Sequence, residues 1–130
     1  MKEQLISYST AKLAKEKGFN IPVLHYYIGV KENHTNHPTR MFDLRLEDWN
    51  SFISNSRISI PTQSFLQKYL REVYKIEIAV QWFDKGYIKA VKKHPFKANT
   101  YRMETWNSYE EALEMALFEG LNLIPDEGNN

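Results

Sequence analysis

His34-Thr35-Asn36-His37 holds the one histidine pair at a spacing that could ligate a metal. A zinc centre needs about four ligands. The chain has no cysteine, and its other histidines, His25 and His94, fall in other elements. Asn36 and Pro38 mark the stretch as a loop. A solvated loop is therefore the expectation, and no metal ligand is assigned. The carboxylates do no better. Glu110, Glu111 and Glu114 suit the first turns of a helix, where acids complement the unpaired amides. Asp43, Glu47 and Asp48 read as strand-end surface residues. No serine sits in a nucleophile elbow, and no Gly-rich loop could cradle a phosphate. The lack of cysteine excludes disulfides and a thiol nucleophile. These residues predict a chain that is not an enzyme and takes no cofactor.

The chemistry that remains is recognition. From Lys85 to Met103 there are six basic residues and no acid, and from Ser108 onward six acids and no base. Lys89, Lys93 and Arg102 are interleaved with Phe83, Tyr87 and Trp106. If Ile78, Val80, Ile88, Ala90, Tyr101 and Met103 face the helices of the fold, those six residues share the other face of a sheet with Gln81. Such a face can stack unpaired bases and hold phosphates. The same residue types suit a protein interface, and an N-terminal hairpin could equally bury them. The net charge is only +1, so the whole chain has no nucleic-acid footprint. The basic and acidic stretches read first as two solvated faces that attract one another.

Length and composition bound the elements that must position this face. The 130 residues suit one domain, and 42% hydrophobic with 25% charged residues is close to the globular average. No stretch approaches the roughly 18 apolar residues of a membrane span. No leader pattern precedes the first helix, so the cytoplasm is the expected compartment.

Ser7 is a candidate N-cap for a helix over Tyr8 to Lys17, and Gly18 fits a left-handed C-cap. Val23 to Val30 alternates, with Leu24, Tyr26, Ile28 and Val30 on one side and Val23, His25 and Tyr27 on the other. Met41 to Leu46 alternates again, with Phe42, Leu44 and Leu46 on one face and Asp43 and Arg45 opposite. The two runs predict an antiparallel hairpin with a long tip. Glu47 to Ile53 reads as a short helical turn carrying Trp49 and Phe52. A second helix follows Thr62, with Leu66, Tyr69, Leu70 and Val73 as its apolar stripe. Strands are predicted over Ile76 to Phe83, with Ile76, Ile78, Val80 and Trp82 on one side, then over Tyr87 to Lys92 and Thr100 to Trp106. Asp84-Lys85-Gly86 forms the first turn. Ser108-Tyr109-Glu110-Glu111 is a capping box. The last helix carries the stripe Ala112, Leu113, Ala116, Leu117, Gly120, Leu121 and Ile124, and Pro125 ends it. Gly120 on a buried stripe predicts close approach to the sheet.

The expected fold is α+β, a single domain over 1–124. Its core, over 62–124, is helix, strand, strand, strand, helix, with both helices on one face of an antiparallel sheet. The N-terminal helix and hairpin over 1–60 extend that sheet or cover its other face. A disordered tail is expected over 125–130.

The order of elements from Thr62 to Ile124 resembles the double-stranded RNA-binding domain. That family opens its last helix with a lysine cluster on the phosphates. Here the place is held by Glu110 and Glu111, which repel phosphates. The stretch Ser9 to Tyr27 is superficially similar to the start of a MerR-type regulator, in Ala11, Ala14, Gly18 and the run Leu24-His25-Tyr26-Tyr27. Over most of its length the chain resembles a group of uncharacterised small proteins from phages and prophages of gut anaerobic bacteria. The matching segments are Ile6 to Phe19, Pro61 to Ile78 and Ser108 to Ile124. The resemblance implies a phage or mobile-element origin and a bacterial host cell. The functional expectation is a non-catalytic module that binds a host or phage protein. The alternative is a nucleic-acid-binding accessory domain using Phe83, Tyr87, Lys89, Lys93, Arg102 and Trp106.

Overall fold

Side-chain oxygens start each of the α-helices among the described residues. In the computed structural model, which describes residues 3–28, 38–52, 57–94 and 104–126, Ser7 Oγ accepts from the Thr10 amide at the head of α1 (Tyr8–Glu16). Thr62 Oγ1 accepts from Phe65 at the head of α2 (Gln63–Tyr74), and Ser108 Oγ from Glu111 at the head of α3 (Tyr109–Asn122). Each cap satisfies an amide the helix itself cannot pair, an effect of about 1 kcal/mol. Gly18 ends α1 at φ 88, a conformation open to a residue without Cβ. Lys75 takes the left-handed role after α2 at φ 60. α3 stops at Asn122, ahead of Pro125. The Leu123 and Ile124 amides close it by donating to the Gly120 and Leu121 carbonyls.

The strands form two antiparallel sheets rather than one. β1 (Val23–Ile28) lies between β2 (Thr39–Glu47) and β3 (Arg57–Ile60). β4 (Ile76–Phe83) pairs with β5 (Gly86–Lys93). The fold is thus α+β, as the alternation and stripes predict. The hairpin, however, does not extend the β4–β5 sheet. It pairs with β3, whose four residues, Arg57-Ile58-Ser59-Ile60 before Pro61, are too few for an alternation to mark a strand. Of the expected third strand over Thr100 to Trp106, residues 100–103 lie outside the described residues. Trp106 forms an isolated antiparallel bridge to Tyr87, on the β5 side.

α2 and α3 pack on one face of β4–β5. Gly120 of α3, Leu70 of α2 and Ile76 and Ile78 of β4 meet at one point. The whole stripe from Ala112 to Ile124 is buried. Val73 and Trp82, expected on apolar stripes, are exposed instead, Val73 in the last turn of α2 and Trp82 one residue from the end of β4. Ile6, Trp49, Leu66, Leu70, Ile76, Leu117 and Leu121 are fully buried and belong to one cluster that spans both sheets. Each contributes roughly 1.5–3 kcal/mol of transfer free energy.

Trp49 sits on a 3-10 turn (Trp49–Ser51), its indole N–H donating to the Val23 carbonyl at 2.8 Å. Its ring stacks on Tyr26, and the Arg57 guanidinium lies over Tyr26, Trp49 and Phe52 at 5.1, 5.4 and 4.9 Å. The N-terminal segment is woven between α2 and α3. Leu5 bridges Thr62, and the Ser7 amide donates to Glu114 Oε2. Lys17 reaches the other end of the chain, donating to the Ile124 carbonyl and Asp126 Oδ1, both at 2.7 Å. Asp126, placed by the sequence in a disordered tail, is therefore tied down. The rest of that tail, 127–130, lies outside the described residues.

Candidate binding surface

The basic-aromatic face expected from the sequence divides between the two sides of the β4–β5 sheet. Phe83 pairs with Gly86 and Trp82 with Tyr87, so the turn between the strands has two residues, Asp84 and Lys85. Reading it as three, with Gly86 in the turn, shifts β5 by one position. A one-residue shift sends every side chain to the opposite face. Lys93, Val91, Lys89 and Tyr87 stand opposite Ile76, Ile78, Val80 and Trp82, on the helix side. Phe83 stays on the outer side, with Glu77, Ala79 and Gln81. Ile88 and Ala90, expected to face the helices, join it there.

The cations on the helix side are engaged. Lys89 Nζ pairs with the Glu119 carboxylate of α3, and its side chain is 11% exposed. It also lies 5.7 Å from the centre of the Trp106 ring. Lys93 Nζ donates to the Leu123 carbonyl at 3.3 Å. The Tyr87 ring meets Trp82 and Tyr109 edge-on. Arg102 lies outside the described residues, as do His34 and His37. Among the described residues no group of three His, Asp or Glu side chains converges as a metal site would require. Glu114 is likewise taken up, with Ser7 on one oxygen and the Gln63 amide on the other.

The large apolar surface that stays open lies elsewhere, on the edge strand β2. Its pairing with β1 breaks between Val23↔Glu47 and His25↔Phe42, so Asp43, Leu44, Arg45 and Leu46 all stand opposite Leu24 alone. This is an extended β-bulge, which detaches a strand and re-aims its side chains. Asp43 Oδ1 accepts from the Arg45 amide at 3.0 Å and lies 3.8 Å from the Arg45 guanidinium. Along this segment Phe42 is 56%, Leu44 87% and Leu46 64% exposed. One exposed leucine is ordinary. Three large exposed apolar residues on one edge strand form a surface that proteins usually blunt with charge.

Beside Leu46 a cleft of about 650 Å³ opens between the start of β1 and the outer side of α2. Leu24, His25, Leu46 and Phe65 give it apolar walls, with Lys68 and Arg71 on α2. Lys68 and Arg71 are exposed one turn apart, and neither has an ion-pair or hydrogen-bond partner among the described residues. Across the cleft Glu3 accepts from the Ser64 hydroxyl. His25 packs its ring 5.0 Å from Phe42. Burial, and then the charge of Arg40, push its pKa below the ordinary 6.5, so a neutral imidazole lines the cleft at pH 7.

Phe65, Lys68 and Arg71 carry no motif in the sequence. Their one signal is an aromatic residue off the apolar stripe of α2, and Phe65 does meet the buried Phe19 ring edge-on while remaining 37% exposed. No helix among the described residues is long and apolar enough to cross a membrane. Comparison with protein-family models, curated proteins and solved structures returns no match to this chain.

Proposed function

We propose that the chain is a non-catalytic protein-interaction module that takes up an acidic, apolar peptide segment of a partner protein in the cleft between β1 and α2. One observation carries this reading. Exposed apolar surface from Leu46 and Phe65 adjoins two uncommitted cations, Lys68 and Arg71, in one concavity. Apolar walls supply affinity, and a few placed polar groups fix orientation. A leucine or phenylalanine would enter the cleft while aspartate or glutamate meets the α2 cations. The resemblance to small phage and prophage proteins makes a host or phage protein the natural source of the segment. The nucleic-acid alternative draws less support, because α3 takes up Lys89 and Lys93.

Selection from a random peptide display library against the immobilised protein tests the proposal. The expected ligands pair a large apolar residue with acids and perturb the amides of His25, Leu46, Phe65 and Lys68 in NMR titration. Lys68→Glu with Arg71→Glu should weaken them roughly tenfold or more, as expected for opposite charges made like. Ligands without acids, or affinity unchanged in that double variant, would overturn it.

A further inference from the structure

We propose that the free edge of β4 pairs with β4 of a second copy of this chain, antiparallel about a two-fold axis at Gln81. The inference concerns the second sheet and does not depend on what enters the cleft beside β1. β4 has β5 on one side and no strand on the other among the described residues. It pairs with β5 without a break, from Ile76↔Lys93 to Phe83↔Gly86. The backbone shows which groups that pairing leaves over. Tyr87 gives both its amide and its carbonyl to Trp106, at 2.9 Å each. It therefore gives neither to Trp82, which stands opposite. Bonded and non-bonded pairs alternate along an antiparallel ladder. The amides and carbonyls of Trp82, Val80 and Ile78 thus point away from β5, out of the edge. Gln67 of α2 agrees with that direction, its Nε2 donating to the Ile78 carbonyl at 2.8 Å. Among the described residues, no hydrogen bond takes up the edge groups of Val80 or Trp82.

The accessible part of this edge is short. Ile76 is fully buried and Ile78 nearly so, whereas Trp82 and Phe83 are about half exposed and Ala79 and Gln81 are exposed. The run Ala79-Val80-Gln81-Trp82-Phe83 carries no charge, the common guard of an edge strand. It is also its own complement. A two-fold axis at Gln81 sets Val80 against Trp82 twice, as an isologous interface requires. Each such pair exchanges both of its amide-to-carbonyl bonds. Trp82, already edge-on to Tyr87, meets Val80 of the copy, an aromatic beside a β-branched residue as sheets favour. On the outer face Phe83 lies over Ala79, large on small, and the two Gln81 side chains meet at the axis. Other registers fail. An axis at Ala79 or Val80 needs the Ile78 carbonyl, which Gln67 already holds. An axis at Trp82 sets Val80 against Asp84, which has left the strand at φ 59. An axis between two residues opposes an outward group to one bonded to β5, and no ladder forms. The strand that fits this edge is β4 itself, and the two hairpins join into one sheet in the order β5–β4–β4–β5.

Sedimentation equilibrium of the full chain and its variants tests the proposal. The wild type should be a reversible dimer. Val80→Pro deletes an amide that the single chain leaves unused, a place where a strand tolerates proline. It should weaken the dimer roughly tenfold or more, since the axis removes the bond twice. Circular dichroism checks that the variant folds. Should it not, Gln81→Lys serves at an exposed position. Two like charges at the axis should weaken the dimer roughly tenfold, as should Gln81→Glu. Mixed in equal amounts, these two variants should form a heterodimer, since unlike charges then meet. Cross-linking fixes the register in a chain free of other thiols. Gln81→Cys should couple to its copy on mild oxidation, because Cα atoms about 4.5 Å apart at a non-bonded pair suit a disulfide. Ala79→Cys, exposed on the same face, should not, its copy lying about 13 Å away along the strands. A wild type that is monomeric at every concentration would overturn the proposal and leave this edge to an extended peptide of a partner. Equally fatal would be folded Val80→Pro or Gln81→Lys as dimeric as the wild type, a Lys–Glu mixture no more associated than its components, or Ala79→Cys coupling as fast as Gln81→Cys.

Discussion

A Cβ at Gly120 of α3 would stand 3.0 Å from Cδ1 of Ile78 on β4, with Leu70 Cδ1 at 3.3 Å and Ile76 Cγ2 at 3.4 Å. Two effects oppose one another on Gly120→Ala. Alanine gains roughly 1 kcal/mol of helix propensity, while an added methyl in a packed core costs about 1–3 kcal/mol. The crowding atoms are side-chain methyls, and the closest two are terminal groups that can turn away. We expect a net loss under about 1 kcal/mol for alanine and of about 2–4 kcal/mol for Gly120→Val, which adds bulk and loses helix propensity. Urea denaturation measures both. A clear gain in stability from Gly120→Val would show that α3 can lift off the sheet freely.

Lys89 should matter for stability. Removing it in Lys89→Met leaves the Glu119 carboxylate half-buried without this cation, a loss of roughly 1–2 kcal/mol after allowance for its remaining exposure. Glu119→Gln should cost less, and the double variant less than the sum of the two. A thermodynamic cycle by chemical denaturation reads the coupling. Strict additivity would mean that the pair contributes nothing.

The clamp from Lys17 should be asymmetric. Lys17→Met removes both bonds, leaves the Ile124 carbonyl without a donor, and should cost about 1–3 kcal/mol. Asp126→Asn retains the bond to Ile124, and Asp126 is largely exposed, so its effect should stay below about 1 kcal/mol. Thermal melts rank the two. Equal losses would place the strength of the clamp in the ion pair rather than in the carbonyl.

His25 predicts a pH dependence. Its folded pKa lies below the unfolded 6.5, so the unfolded chain binds the proton first. Its contribution to stability is therefore full above about pH 6.5 and is lost as pH falls through the lowered folded value. Burial opposes the charged imidazole first, and the Arg40 guanidinium on β2 adds to the cost of protonation. His25→Gln should flatten this part of the stability–pH profile between pH 7 and 5. An unchanged slope would assign that dependence to the carboxylates.

The helices were legible in the sequence because their signals are local. Ser7, Thr62 and Ser108 each cap the helix they precede, and the α3 stripe from Ala112 to Ile124 needs no partner to be read. The strands were legible as strands but not as faces. Gly86-Tyr87-Ile88-Lys89-Ala90-Val91 has apolar residues at both parities, so its orientation rests on whether Gly86 ends the turn or begins the strand. That choice placed Tyr87, Lys89 and Lys93 on the wrong side of the sheet. β3 was missed because two isoleucines in four residues give too short a pattern. Phe42, Leu44 and Leu46 read in the sequence as one alternating face, but the pairing with β1 is interrupted within that run. That these residues meet solvent goes with the bulge opposite Leu24, a long-range pairing that no local pattern encodes.

The weave of the N-terminal segment bears on how the chain emerges from the ribosome. Ser7 bonds to Glu114 and Lys17 to Asp126, so α1, which also rests on β3 through Lys15 and the Arg57 carbonyl, completes its seat only on residues made last. Helix α2 and the β4–β5 hairpin can associate early. The side of α1 that meets α3 must wait, with apolar surface open, for almost the whole chain to be translated. Contacts of such separation slow folding and prolong exposure to aggregation. In nascent chains stalled at successive lengths, α1 should resist protease once α3 and Asp126 have cleared the exit tunnel. Protection at shorter lengths would mean that α1 first docks on β3 alone.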